Sequence, residues 1–369
     1  MSKNENVYVT KPFLPPFEEY AELLKSVWET NILTNSGPLE KRLNQDLKSY
    51  LGVRHLTLTS SATTGLIIAF LALRLKNKVL TTPFTFPATL HALSIVGVEP
   101  VFADVDINTG LITSETIKAG YEEGVEAVLG THAFGQPIDV SALKGFKHQS
   151  KCKLIFDAAP AFGTVFKNGN AYDEADATII SFHATKVFHS FEGGAVIAAN
   201  EDVQNRINLI KNFGLDGPEN VREIGLNGKM SEAHAAMGIV NLRYINECTA
   251  KRKLVFEAYS DLLSGCPNVE LMNIFNQQQP NFAYLPMRCL LGERHRDLIM
   301  NALAGQNIFA RKYYYPLLSN TVHYKNLNSA CPSNLPNANL LSKTVLCLPI
   351  YPDLDVEKIK QICEIIRAV

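Results

Sequence analysis

The sequence predicts an α/β fold: a mostly parallel central sheet flanked by helices, followed by a smaller C-terminal α+β domain. Three observations carry this. From about residue 55 to 200, short apolar runs alternate with longer stretches of helical spacing. Several of the short runs end in a polar or small residue. After about residue 245 the rhythm gives way to segments punctuated by Pro267, Pro280, Pro286, Pro316, Pro332, Pro336, Pro349 and Pro352.

The elements follow in order. Residues 15–30 set Phe17, Tyr20, Leu23, Leu24, Val27 and Trp28 at helical spacing. A turn at Asn35, Ser36, Gly37 and Pro38 leads into a second amphipathic helix over 39–51, closed by Gly52. Strands are predicted over 55–59, 78–82, 99–104, 127–131, 153–157, 177–181 and 194–198, with helices over 62–75 and 85–96 between the first three. Ser60 or Ser61 caps the helix that starts at 62. Six runs end at Thr59, Thr82, Asp104, Thr131, Asp157 and Ser181, and open parallel sheets bind ligands at that carboxyl edge. A long helix over 231–264 crosses into the last third. The division is read as residues 1–245 for the large domain and 246–369 for the small one, with the N-terminal helices free to pack on either.

Bulk properties exclude several classes. The 369 residues are 46% hydrophobic and 19% charged, with 35 basic against 36 acidic side chains and a net charge of −1. No bulk field draws nucleic acid or an anionic membrane. The seven cysteines are scattered without a C-x-x-C pair, the mark of a reducing cytoplasm. The opening MSKNENVYVTKPFLPP has no apolar core of a secretory signal, and the longest apolar run, 66–73, is too short to span a bilayer. G-x-x-x-x-G-K-[ST] and G-x-G-x-x-G are both absent.

Three segments carry chemistry. In SFHATKVFHSFEGGA (181–195) an apolar strand runs into a turn with one lysine, Lys186. Apolar surroundings disfavour its ammonium form, and a neutral amine is what an aldehyde-bearing cofactor needs; a plain surface turn is the competing reading. In LIFDAAPAFG (154–163) Asp157 ends a strand, and a carboxylate buried there needs a cation such as a protonated pyridine nitrogen; helix capping is the alternative. In TLTSSATTGL (57–66) small hydroxyl residues open a helix whose N-terminus suits phosphate, or simply caps itself. Together, in chain order at one sheet edge, the three match the pattern of fold-type I pyridoxal-phosphate enzymes.

At these residues the chain resembles the DegT/DnrJ/EryC1/StrS family of sugar aminotransferases over nearly its whole length. The resemblance implies pyridoxal 5′-phosphate held by Lys186, with Asp157 at the pyridine nitrogen and Ala62, Thr63 and Ser181 at the phosphate. PFTFPAT (83–89) makes Phe86 the ring-stacking aromatic. GLNGKMSEAHAAMG (225–238) places Asn227 where the family reaches the partner subunit's phosphate, implying a homodimer with composite sites. Two departures stand out: Pro160 where the family has His or Gln, and Ala62 in place of glycine.

VTKPFLPPFEEY, ILTNSGP and HATKVFHSFEGG look most like the enzymes that aminate C4 of dTDP-4-keto-6-deoxyglucose. That implies L-glutamate as donor, 2-oxoglutarate as by-product, dTDP-4-amino-4,6-dideoxyglucose as product, and a place in deoxyamino-sugar and O-antigen biosynthesis. Amination at C3, another nucleotide sugar, or a non-catalytic cofactor-bound regulator are the alternatives. Thr34, Asn35, His183, Arg311 and Tyr313 are candidate substrate contacts. Residues 311–315 alternatively read as an edge strand, and Asp104 with Asp106, or His132, His183 and His189, do not make a metal site.

Overall fold

The computed structural model describes residues 6–140, 143, 151–165, 171–272 and 280–369. Residues 1–5, on which part of the leader reading rests, lie outside that set. After the short β1 (Val7–Tyr8), α1 (Phe17–Thr30) and α2 (Pro38–Leu51) form as the spacing predicts. Proline suits the first turn of α2, where its missing N–H costs nothing, and Gly52 ends the helix at a φ of 66°.

β2 (Leu56–Thr59) turns into α3 (Ala62–Ala72), which is shorter than the predicted 62–75. Leu73 and Leu75 turn into the core, and Arg74 between them takes a left-handed φ of 55° that sends the chain toward β3 (Lys78–Thr81). α4 (Pro87–Ile95) starts two residues later than predicted, because the residue before a proline is held extended: Phe86 has φ −77° and ψ 146°. β4 (Glu99–Phe102), α5 (Ser114–Gly120), β5 (Val125–Thr131), β6 (Lys153–Asp157), β7 (Ala177–Ser181), β8 (Gly194–Ala198) and α6 (Glu201–Ile210) complete the large layer.

The seven-stranded sheet runs β2-β8-β7-β6-β5-β3-β4. Only β8 is antiparallel to its neighbours, so β2 through β7 all point their carboxyl ends the same way. Register sets Thr131 beside Asp157, and Gly194 beside both Thr59 and Ser181.

The 32-residue α7 (Glu232–Leu263) serves two cores. Its first half packs Ala235, Ala236 and Ile239 with the sheet and with Leu39, Leu43 and Leu47 of α2, so the N-terminal helices join the large layer. Its second half gives Val255, Tyr259 and Leu263 to the other core. There β9 (Val269–Leu271), β10 (Leu285–Cys289) and β12 (Val345–Leu348) form an antiparallel sheet of order β12-β10-β9, covered by α8 (Glu293–Ala304) and α10 (Val356–Ala368). β11 (Ile308–Phe309) pairs with β1, and α9 (Pro336–Thr344) returns Ala338 and Leu341 to the first core. Among the described residues no helix is long and apolar enough to cross a membrane.

Candidate active site

The carboxyl edge gathers the predicted chemistry. Lys186 follows β7 in a turn closed by its own N–H to the His183 carbonyl at 2.9 Å. The residue as a whole is half-buried, but its amine is deep enough that desolvation is the main cause of a lowered pKa. Tyr313 and Asp157 pull the other way, and Arg311 adds to the lowering. The amine donates to the Tyr284 phenol oxygen at 3.2 Å.

Asp157, at the end of β6, is buried. One carboxylate oxygen accepts from the Thr89 hydroxyl at 2.6 Å and the other from the Ala159 N–H at 3.0 Å. No ion pair reaches it among the described residues, and burial pushes its carboxyl up, with Lys186 only partly countering. Thr89 is itself held: its hydroxyl and that of Thr131 each lie 2.9 Å from the hydroxyl of Thr85. Thr85, Thr89 and Tyr284 were not singled out from sequence, and Thr131 was read only as a strand end at the carboxyl edge. Thr85 and Thr89 sit four residues apart in PFTFPAT, so a signal for them existed; Tyr284 has none, lying 98 residues from Lys186 among apolar neighbours.

The turn at 60–64, the candidate for the phosphate, opens α3 with a side-chain cap. The Ser61 hydroxyl takes the Thr64 N–H at 3.1 Å and its carbonyl takes that of Gly65, leaving Ala62 and Thr63 as first-turn donors without an intrahelical acceptor. β8 starts against this turn: a Cβ on Gly194 would lie 2.7 Å from the Ala62 nitrogen and 2.8 Å from the Ser61 carbonyl carbon. Ser181, next to Gly194 in register, accepts the His183 N–H at 3.3 Å. Phe86 stands at the edge with 51% of its surface exposed.

These features fit pyridoxal phosphate: an enclosed amine, a buried carboxylate lacking a cation, a helix N-terminus with free donors and an open aromatic face. At Pro160 no side chain donates, and the nearby Asn281 amide is spent on the Pro160 and Phe162 carbonyls at 2.8 and 2.9 Å.

The remaining candidates divide. Arg311 stacks on Tyr313 at 4.9 Å, and Tyr313 meets the Tyr284 ring at 5.2 Å, so both come to the lysine. Residues 312–315 are a turn rather than an edge strand; only Arg311 pairs, as a bridge to Cys347. Lys312 is committed to Asp297 at 2.7 Å, and Asp297 also binds the fully buried Arg296. This network pins the turn that carries Tyr313. His183 is tied to Thr185 at 2.8 Å and lies 3.4 Å from Glu192.

Thr34 is half-buried, and Asn35 lines a polar groove of about 460 Å³ along the open edge of β2, with Lys41, Asn44, Lys48, Asn208, Lys211 and Lys229. Neither Lys186 nor Asp157 lines this groove. The chemistry is assigned to the carboxyl edge, where the titratable groups are buried and converge. Asn227 is exposed; the next residue, Gly228, accepts the Ser60 N–H at 2.8 Å, so its loop leans on the phosphate turn of its own chain. No hydrogen bond, ion pair or ring contact joins Asn35 or Asn227 to Lys186 within the chain, among the described residues.

The two aspartates of the DVD segment are caps: Asp104 accepts the Asn337 and Ala338 N–H groups that open α9, and Asp106 those of Asn108 and Thr109. His189 is a core histidine, 2.7 Å from the Phe13 carbonyl.

Comparison with known proteins adds four findings. Residues 17–367 match the DegT/DnrJ/EryC1/StrS aminotransferase family. The chain is 35% identical over 367 residues to a dTDP-4-amino-4,6-dideoxy-D-glucose transaminase of Shigella dysenteriae, covering 98% of this chain and 99% of that one. It is 37% identical to one of Escherichia coli, covering 98% of each. A crystal structure of DesI in the presence of its TDP-sugar product superposes with a TM-score of 0.93 at 31% identity, covering 99% of this chain and 93% of that chain.

Proposed function

Because the chain belongs to the DegT/DnrJ/EryC1/StrS aminotransferase family, whose members are pyridoxal-phosphate enzymes, we propose that it transfers the amino group of L-glutamate to C4 of dTDP-4-keto-6-deoxy-D-glucose. The product is dTDP-4-amino-4,6-dideoxy-D-glucose, the compound named for both curated relatives. The observation that carries the reading is the enclosed amine of Lys186 facing the charge of buried Asp157 at one sheet edge.

Bound pyridoxal phosphate supplies an aldehyde and an electron-poor ring that stores the electrons of the cleaved C–H bond. The chain does the rest. Asp157 keeps the ring nitrogen protonated, and Thr89, Thr85 and Thr131 fix its orientation. Ala62, Thr63 and Ser181 hold the phosphate at the N-terminus of α3. Phe86 covers the ring face. Lys186 anchors the cofactor and, once freed, carries the proton between the two carbons; its lowered pKa keeps a neutral fraction at working pH. Arg311, exposed and stacked on Tyr313, is the cation for an acidic substrate group.

The working unit is a homodimer in the cytoplasm, in which Asn227 reaches the partner's phosphate turn. Its exposure, with no hydrogen bond to Lys186 within its own chain among the described residues, supports that reading. Thr34 and Asn35, on the same side, contact the substrate held by the partner. The test is to incubate the holoenzyme with L-glutamate and dTDP-4-keto-6-deoxyglucose and to locate nitrogen by NMR. Nitrogen on C4 is expected; nitrogen on C3, or no amino sugar, overturns the assignment.

A further inference from the structure

Lys186 has one hydrogen-bonding side-chain partner among the described residues, the phenol of Tyr284. Tyr284 immediately precedes β10, in the C-terminal third, and is buried. Its ring centroid lies 5.6 Å from the Lys186 amine. Tyr313 meets it edge-on at 5.2 Å, and Phe134 lies beyond at 6.4 Å. The surroundings are dry: burial pushes the Tyr284 phenol up to about 12 and Tyr313 higher still. Both phenols therefore keep their protons at neutral pH.

A free lysine amine at the end of four methylenes has about 2 kcal/mol of rotamer entropy to lose. Proton transfer needs the amine within about 2.6–3.2 Å of its target. In a desolvated pocket water is a poor clamp, and Asp157 and Arg311 act on the amine by charge alone. The phenol of Tyr284 is the group placed to hold it.

We infer that Tyr284 is a positioning residue, holding the Lys186 amine where it can move a proton, with Tyr313 supporting the phenol from behind. The phenol neither gains nor loses a proton over the cycle. This rests on Lys186 being the cofactor-bearing lysine of the proposed reaction.

The test uses Tyr284→Phe holoenzyme, which loses one oxygen and keeps the ring. The conversion of bound cofactor by L-glutamate is followed in a single turnover by absorbance, with ordinary and α-deuterated donor. The expected result is a normal cofactor band and a rate about 10- to 100-fold lower, a fraction of what a placed general base supplies. The deuterium isotope effect should exceed that of the wild type, and Tyr313→Phe should slow the step less, about threefold. A wild-type rate and isotope effect in Tyr284→Phe would overturn the inference, as would loss of the cofactor band, since the phenol would then be holding the site together. Borohydride reduction of the wild type with peptide mapping separates the parent reading: a tag on Lys186 sustains it whatever Tyr284→Phe does, and no tag removes both.

Discussion

The carboxyl edge around Lys186 and the open edge of β2 are both crowded with polar side chains, and they use them in opposite ways. Along β2, Asn44 and Gln204 donate to the Leu56 carbonyl, and Lys211 donates to that of Leu58 while pairing with Glu40. These groups blunt an unpaired strand edge. Lys41 stands in water beside them, and Lys48 is half-buried. At the carboxyl edge the polar groups are fewer and enclosed: one amine, one carboxylate, a run of threonine hydroxyls and two phenols. The basic groove thus serves as edge protection, and the dry cluster is where the chemistry is proposed, because desolvation changes what an amine or a carboxylate can do.

If burial makes the difference, substitutions should hurt in proportion to it. The largest effect is expected from Asp157→Asn. With a protonated ring nitrogen bound, Asp157 would be half of a buried charge pair, and breaking such a pair costs about 3–5 kcal/mol, roughly 10²- to 10⁴-fold in kcat. Steady-state kinetics on cofactor-saturated enzyme checks this, and a loss under fivefold would detach Asp157 from the chemistry. Next comes Thr89→Val, which removes a donor to a charged group worth about 1.5–3 kcal/mol. It should lower kcat about tenfold or more while the fold, judged by Tm, holds.

His132 tests the dryness itself. Burial pushes its pKa down to about 3 from the ordinary 6.5, so the unfolded chain takes up a proton first as the pH falls. Stability should be full above pH 6.5 and drain away between there and pH 3, with His132 contributing about 2 kcal/mol of the loss at pH 5. Denaturant titrations should show a shallower acid slope in His132→Asn; an unchanged slope would mean the site is wetter than its geometry implies. The smallest effect belongs to the other edge. Lys48→Gln in the β2 groove should shift stability by less than about 0.5 kcal/mol and leave kcat within twofold.

The same contrast explains what could be read in advance. Apolar runs and their polar ends gave the sheet and its working edge, since β strands buried on both faces leave a strong pattern. Lys186, Asp157 and the 60–64 turn are punctuation in that pattern. What escaped depends on which strands become neighbours. Thr131 meets Thr85, and Thr89 meets Asp157, only because the sheet places β5 between β3 and β6. Tyr284 reaches Lys186 only because the second core folds β10 against the first. The ends of α3 and α4 moved for local reasons, a left-handed Arg74 and the Phe86-Pro87 pair. The turn at 312–315 is set by the Arg296, Asp297 and Lys312 network, in which Lys312 reaches back to the distant Asp297.

The central claim is that the enclosed Lys186 amine both anchors the cofactor and carries the proton. Chemical rescue tests it most directly. Lys186→Ala, loaded with pyridoxal phosphate and given L-glutamate, should fail to convert the cofactor in a single turnover, and added methylamine should restore conversion in proportion to its free-base concentration. Conversion at the wild-type rate without added amine would contradict the account.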